Sequence, residues 1–280
     1  MASRIKIGTA SWQDPGFIQD WYPKDLPKSQ LLPWYAEHFP YVEVNSTFYH
    51  VPEPRTLEHW ARQTPGNFTF DLKLHKLLSH HSTKPDDLPE ELRYLVAETA
   101  KRVERTPELE QALLRLTLDA VAPLASAGKL GAFLLQMSPS FRPKYHSLDE
   151  LLPVRESLVG TPLALELRNR DWISAEIAPK VFDFCEDHAI TLVMVDAPET
   201  SHFMALPEFE AVTNPKLAYL RLHGRNAEGY VRGRSVAERF KYDYSEEELE
   251  EVAVKIERIA KEAAEVHVAF NNNFSNYAPK

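Results

Sequence analysis

Asp71, Lys73, Glu166, Arg168, Arg221 and His223 fall at alternate positions of short apolar runs, where a fully buried strand would carry aliphatic residues. The clearest run, Phe68-Thr69-Phe70-Asp71-Leu72-Lys73-Leu74-His75, is apolar on one face and titratable on the other. An unpaired ion taken out of water costs several kcal/mol, so these residues need partners or a ligand. Lys73, Arg168 and Arg221, with Arg225 just beyond its run, are suited to a phosphate or carboxylate. A guanidinium offers a planar two-pronged donor and an ammonium a point charge. Glu166 or His223 would transfer a proton, with Asp196 a further candidate, and imidazole has a reference pKa near 6.5. Glu43, Asn45, Asn271 and Asn272 would contact and orient the ligand.

Two other chemistries use the same residues. Glu166, Asp196, His223 and Asn271 would offer oxygen and imidazole ligands to a divalent metal, but Arg168 and Arg221 beside them oppose a dication. A metal-free anion site without a cofactor is therefore expected. Glu43 and Glu166 are the carboxylates available to a glycosidase, whose separation the sequence does not contain. The pair His80-His81 lacks the HExxH pattern of a zinc protease, and neither a GxSxG elbow nor a P-loop occurs.

Eight strands are predicted to position these groups: 5–8, 41–45, 68–75, 130–136, 163–168, 191–196, 217–223 and 266–271. Helical patterns separate most of them. Ser147 with Glu150 and Ser245 with Glu248 have capping-box spacing, Pro54 suits a first helical turn, and the longest helical region runs from about Glu90 to Ala127. Strand and helix alternating through eight strands predict a TIM-like (β/α)8 barrel, with one domain over residues 1–280. A doubly wound sheet is disfavoured because Gly8-Thr9-Ala10-Ser11-Trp12 has a single glycine after the first strand. The sixth crossover, from Ala197 to Pro215, shows no convincing helix, and the chain reaches Lys280 without a full final helix.

Strict alternation would turn Lys6, Glu43, Asn45, Asp71, Lys73, His75, Gln136, Glu166, Arg168, Tyr219, Arg221, His223, His267 and Asn271 toward the barrel axis. Lys6 and His267 come early in their strands and are expected in a structural polar layer. The later residues belong to the C-terminal strand ends, where barrel active sites lie. Trp12, Trp21, Tyr22, Trp34 and Tyr35 form an aromatic group near the first helix, read as core packing before a ligand-stacking wall.

The chain has 280 residues, 44% hydrophobic and 26% charged, with a formal net charge of -9. That charge disfavours extended nucleic-acid binding, so the expected partner is a small anionic ligand caught by a few focused cations. A non-catalytic ligand-binding or nucleic-acid-binding module is the alternative class. The single cysteine, Cys185, lies in an apolar pattern and forms no intrachain disulfide, and no stretch is long and apolar enough for a membrane span. The N-terminus runs straight into strand pattern without a signal segment, so a cytoplasmic location is expected and the oligomeric state stays open.

The sequence resembles the YecE-like family, also called domain of unknown function 72. The resemblance runs from Ile7 to Tyr277 and rests on Gly8-Thr9-Ala10-Ser11-Trp12, Trp21-Tyr22-Pro23, Val42-Glu43-Val44-Asn45-Ser46-Thr47-Phe48-Tyr49, Glu166-Leu167-Arg168-Asn169, Arg221-Leu222-His223-Gly224-Arg225 and Phe270-Asn271-Asn272. It implies a TIM-barrel-like fold and names no reaction. Lys73 and His80 match the family pattern after the third strand, whereas His75 replaces a usual proline and gains no role from it. The working expectation is a hydrolase-like enzyme acting on a phosphate- or carboxylate-bearing substrate.

Overall fold

Parallel pairing runs unbroken through one sheet whose strand order is β6-β5-β4-β3-β2-β1-β9-β8-β7. The strands are β1 (Arg4–Thr9), β2 (Tyr41–Val44), β3 (Thr69–Lys73), β4 (Leu130–Gln136), β5 (Leu163–Glu166), β6 (Ile190–Leu192), β7 (Met194–Asp196), β8 (Ala218–Leu222) and β9 (Glu265–Phe270). The two sheet ends, β6 and β7, are separated only by Val193, whose N–H donates to Leu165 O at 2.9 Å. They are halves of the expected sixth strand, β6 pairing with β5 and β7 with β8, and the sheet thereby closes into a barrel of eight strand positions. The computed structural model describes residues 4–97, 99–202, 204, 206–233 and 236–280.

Alternation divides the two faces of the barrel wall. Val42, Val44, Phe70, Leu72, Phe133, Leu135, Leu163 and Leu165 pack outward into the main apolar core with the surrounding helices. Their neighbours Glu43, Asp71 and Glu166 are fully buried on the axial side. Burial of the aliphatic face, at about 25 cal/mol per Å² of apolar surface, is the main drive for assembling this shell. Gly131 has a steric reason on the axial side: a Cβ there would lie 2.4 Å from Asp71 Oδ1, so only glycine leaves room for that carboxylate.

The helices start where the sequence supplies starts. Pro54–Gln63 and Pro107–Ser126 each open with proline in the first turn, and the Thr106 hydroxyl accepts the Leu109 N–H. Ser147 with Glu150 and Ser245 with Glu248 form the expected capping boxes. The expected helix from Glu90 to Ala127 is corrected: among the described residues of that stretch, only Pro107–Ser126 is α-helical, and Glu90–Leu95 is a short 3-10 turn. Pro107 cannot donate to a preceding carbonyl, and the Thr106 cap begins a new helix there. Among the described residues, the segment between Asp196 and Ala218 and the tail beyond Phe270 contain no helix, matching the irregular sixth crossover and the missing final helix.

The aromatic group is core. Trp12, Tyr22 and Tyr35 are buried, and Trp21 meets Trp34 edge-on with centroids 4.4 Å apart. Cys185 is also in the core, and burial pushes its thiol up to about 12, which leaves it protonated and unreactive at neutral pH. No helix of the described residues is long and apolar enough to cross a membrane.

Candidate functional site

The axial residues stack in tiers. Near the N-terminal strand ends, Lys6 Nζ donates to Thr69 Oγ1 at 2.6 Å and pairs with Glu265. His267 joins Asp71, Nδ1 to Oδ2 at 2.7 Å, and Glu265, Nε2 to Oε1 at 3.1 Å. Asp71 Oδ1 also accepts the Ala132 N–H at 2.7 Å. This is the structural layer expected for Lys6 and His267. Burial alone would depress the His267 pKa, but Asp71 and Glu265 outweigh it and hold the value above 6.5.

A raised histidine pKa stabilises the fold fully below the unfolded value and loses that contribution as pH climbs through the folded value. The urea midpoint should therefore fall as pH rises from about 6.5, with His267→Gln removing that part of the dependence. Urea titrations between pH 6 and 9 check this. A wild-type-to-variant difference constant across that range would sink the assignment.

The middle tier is a carboxylate–guanidinium–carboxylate triad. Arg221 donates from Nε to Glu43 Oε2 at 2.8 Å and from Nη2 to Glu43 Oε1 at 2.6 Å, while Nη1 bonds Glu166 Oε2. Tyr219 OH adds a 2.9 Å bond to Glu43 Oε2 and meets Tyr41 OH at 2.6 Å. Burial opposes the Arg221 charge, yet Glu166 and Glu43 raise its pKa further above the ordinary value. Arg221 is thus committed to two carboxylates, and Glu43 and Glu166 flank one guanidinium instead of facing a sugar across open space.

In the upper tier, Glu166 Oε1 accepts from Gln136 Nε2 at 2.9 Å and from Arg168 Nη1 at 2.9 Å, with His223 Nε2 at 3.2 Å. Burial raises the Glu166 pKa, but Arg221, His223 and Arg168 together bring it well below the usual carboxylate range. Its oxygens are saturated and it stays ionised. The Asn271 amide nitrogen lies 3.0 Å from His223 Nδ1, while His223 Nε2 stands between Glu166 Oε1 and Arg168 Nη1, the latter at 3.3 Å. Burial drives the His223 pKa down to about 4, only partly offset by Glu166, so the ring is neutral at working pH.

Gln136, fixed by Glu166 through its amide N–H, turns Oε1 toward Lys73 and accepts from Nζ at 2.7 Å. The ammonium position also lies 4.2 Å from the Phe48 ring centroid. Desolvation, with Arg221 and Arg168 nearby, lowers the Lys73 pKa to about 7 despite the opposing charges of Glu166 and Glu43. Lys73 is half-buried and borders a cleft of about 530 Å³ that also touches Asn45, His81, Gln136, Arg168, Arg221, Arg239, Asn271 and Asn273. Asn45 Oδ1 and Asn273 Oδ1 are buried at this cleft with no hydrogen-bond partner, two acceptors that would suit hydroxyl or amine donors of a ligand.

Several residues expected on the axis or at the site lie elsewhere. Asp196 and Arg225 bond each other, Oδ2 to Nη2 at 2.9 Å, and line a separate cleft of about 930 Å³ with Glu199, Glu208 and Glu251. Arg225 also reaches Glu248 and Glu251, while Tyr244 OH donates to Asp196 at 2.7 Å. With Asp196 so engaged, the four-ligand metal set is not assembled. His75 turns away to the Asp87 carbonyl at 3.1 Å, because β3 ends at Lys73 and strand alternation ends with it. His80 stands with His146 and Glu150, and Asn272 donates to Tyr242 O at 2.9 Å; neither borders the axial cleft.

Their immediate neighbours His81 and Asn273 do border it. His81 Nδ1 meets Ser79 Oγ at 2.9 Å, and burial with nearby Lys73 lowers its pKa to about 4. The left-handed backbone of His80, φ 61°, separates the directions of the two histidines, a turn with no motif in the sequence. Arg239 and Phe240 also reach the cleft from a segment distant in sequence, and no strand pattern marks them.

A closed parallel β/α barrel with an ionic axis and a polar cleft at its strand ends defines the class: a TIM-like α/β barrel protein. The chain belongs to the family described as protein of unknown function DUF72, whose model matches residues 6–280. It is 28% identical over 275 residues to the UPF0759 protein YunF of Bacillus subtilis, covering 96% of this chain and 89% of that one. The UPF0759 protein YecE of Escherichia coli is 28% identical over 154 residues, 52% of this chain and 44% of that one. A crystal structure of a DUF72 family protein from Enterococcus faecalis superposes with a TM-score of 0.77 at 28% identity, covering 99% of this chain and 93% of that chain. One from Thermotoga maritima gives 0.76 at 27% identity, covering 98% and 95%.

Proposed function

We propose that this protein is a hydrolase-like enzyme acting on a small phosphate- or carboxylate-bearing substrate in the strand-end cleft, with Lys73 as the proton-transferring group. The observation that carries this reading is the placement of the Lys73 amine at the edge of the cleft, held by Gln136 Oε1 at 2.7 Å with Arg168 also lining the cleft, where desolvation and the neighbouring guanidiniums lower its pKa to about 7. A neutral amine there can take a proton from water as the water oxygen attacks a carbonyl or phosphoryl centre, and the resulting ammonium can return that proton to the leaving oxygen. Gln136 Oε1 holds one Lys73 N–H, and Arg168 beside the cleft contributes positive potential for the substrate anion. Glu166 and His223, expected as proton carriers, serve instead as the fixed anion and neutral brace that orient Gln136 and Arg168.

The experiment is a turnover screen of hydroxyl-bearing phosphate monoesters and of carboxylic esters that also carry a free carboxylate, alongside calorimetric titration with inorganic phosphate. Turnover with competitive inhibition by phosphate is the expected result. Saturable phosphate binding without conversion of any ester would make the chain a ligand-binding module and overturn the enzyme reading.

A further inference from the structure

We infer that His80, His146 and Glu150 form a binding site for one zinc-class divalent cation, beside the C-terminal ends of β3 and β4 and apart from the axial cleft. One ligand atom from each residue lies within 4.8 Å of the other two. His146 Nδ1 is 3.1 Å from Glu150 Oε2, and His80 Nδ1 is 3.8 Å from the same oxygen. Ligands bound at about 2.0–2.1 Å around a tetrahedral ion stand roughly 3.3 Å apart, so the two carboxylate–imidazole separations are already near that spacing, and the two imidazoles close on a cation with a shift of at most about 1.5 Å.

The His80 side chain is only 5% exposed, and its Nδ1 is the ring nitrogen that faces Glu150; Nε2, on the other side of the ring, is buried without a hydrogen-bond partner and would carry the proton when Nδ1 binds a cation. Its left-handed backbone holds the ring in this position.

The surroundings fix the three groups in ligand form. The Phe141 ring lies edge-on to His80 at 4.8 Å and against His146 at 4.9 Å, and is itself stacked on Trp172. Glu150 Oε1 accepts the Ser147 N–H at 2.9 Å, so the capping box turns Oε2 toward the imidazoles, as an outer-shell hydrogen bond orients a metal ligand. Arg105 lies near His80 and its charge would oppose a cation there. The Arg105 charge is countered by Glu110, Nε to Oε1 at 2.5 Å.

Two imidazoles with one carboxylate suit zinc and its first-row neighbours, whereas calcium and magnesium prefer oxygen ligands throughout. The His146 and Glu150 side chains are 28% and 37% exposed, which leaves a side of the site for a bound water.

The test is calorimetric titration of the full chain, stripped with chelator, using zinc chloride. One equivalent should bind, and cobalt should give the visible absorption of a tetrahedral site. His146→Ala and Glu150→Gln should each weaken zinc affinity by at least about tenfold. Glu150→Gln keeps a capping-box side chain, and His80→Asn keeps a residue tolerant of the left-handed backbone, so loss of affinity in a folded variant reports the ligand. Absence of saturable zinc binding, or equal affinity in all three variants because the ion sits on other histidines, would overturn the site and leave Glu150 as a helix cap only. Magnesium binding of comparable strength would also overturn the zinc assignment.

Discussion

Arg221→Ala should lower the stability of the fold by about 3–5 kcal/mol, because it leaves two buried carboxylates without their shared cation. Glu43 and Glu166 are fully buried, and Arg221 bonds both. Arg221→Lys should also destabilise, since an ammonium keeps the charge but cannot reproduce three donors directed along a planar fork. The triple replacement Glu43→Gln, Arg221→Met, Glu166→Gln should recover much of the loss, because it removes both the charges and the demand for a counter-ion. Urea unfolding at neutral pH gives the comparison. An unchanged midpoint for Arg221→Ala, with weaker phosphate binding, would make Arg221 a ligand-binding group instead of the structural centre of the triad.

Turnover at neutral pH should fall by about 10²–10⁴-fold in Lys73→Met, the range expected when a general base is lost. With the Lys73 pKa at about 7, the neutral form grows as pH rises, so kcat/KM of the native chain should climb toward pH 7 and then level off. Lys73→Arg should be as impaired as Lys73→Met above that pH, since a guanidinium retains charge without offering a base. A Lys73→Met variant that keeps both the rate and the rising limb would dismiss Lys73 from proton transfer. The same rising limb in Glu166→Gln would show that the carboxylate does not supply it.

The barrel was legible because its strands carry a strict two-residue rhythm from Glu43 through Asp71, Lys73, Glu166 and Arg221. That rhythm also places these side chains on one axis before any contact is known. It lapses where strands end. His75, two residues beyond β3, turns to the Asp87 backbone; His80 and Asn272 leave the cleft while His81 and Asn273 border it. Beyond a strand end, side-chain direction depends on turns such as the one at His80, which residue type alone does not specify. The helix from Glu90 was overextended for a related reason: apolar spacing continued, but Pro107 and the Thr106 cap restarted the chain locally. Arg239 reaches the cleft through tertiary packing, which has no signature within its own segment.

The ionic axis also bears on how faithfully the barrel folds. A slip of any strand by one residue would exchange its two faces, carrying Asp71 or Glu166 into the apolar shell and bringing Leu72 or Leu165 onto the axis. Each such mistake would strand an ion among helices and leave its former partners unmatched several strands away. The apolar shell alone would tolerate some rearrangement, because aliphatic contacts are non-directional. The axis instead penalises misalignment, because a slipped strand parts its charges from the opposites they meet in the native register.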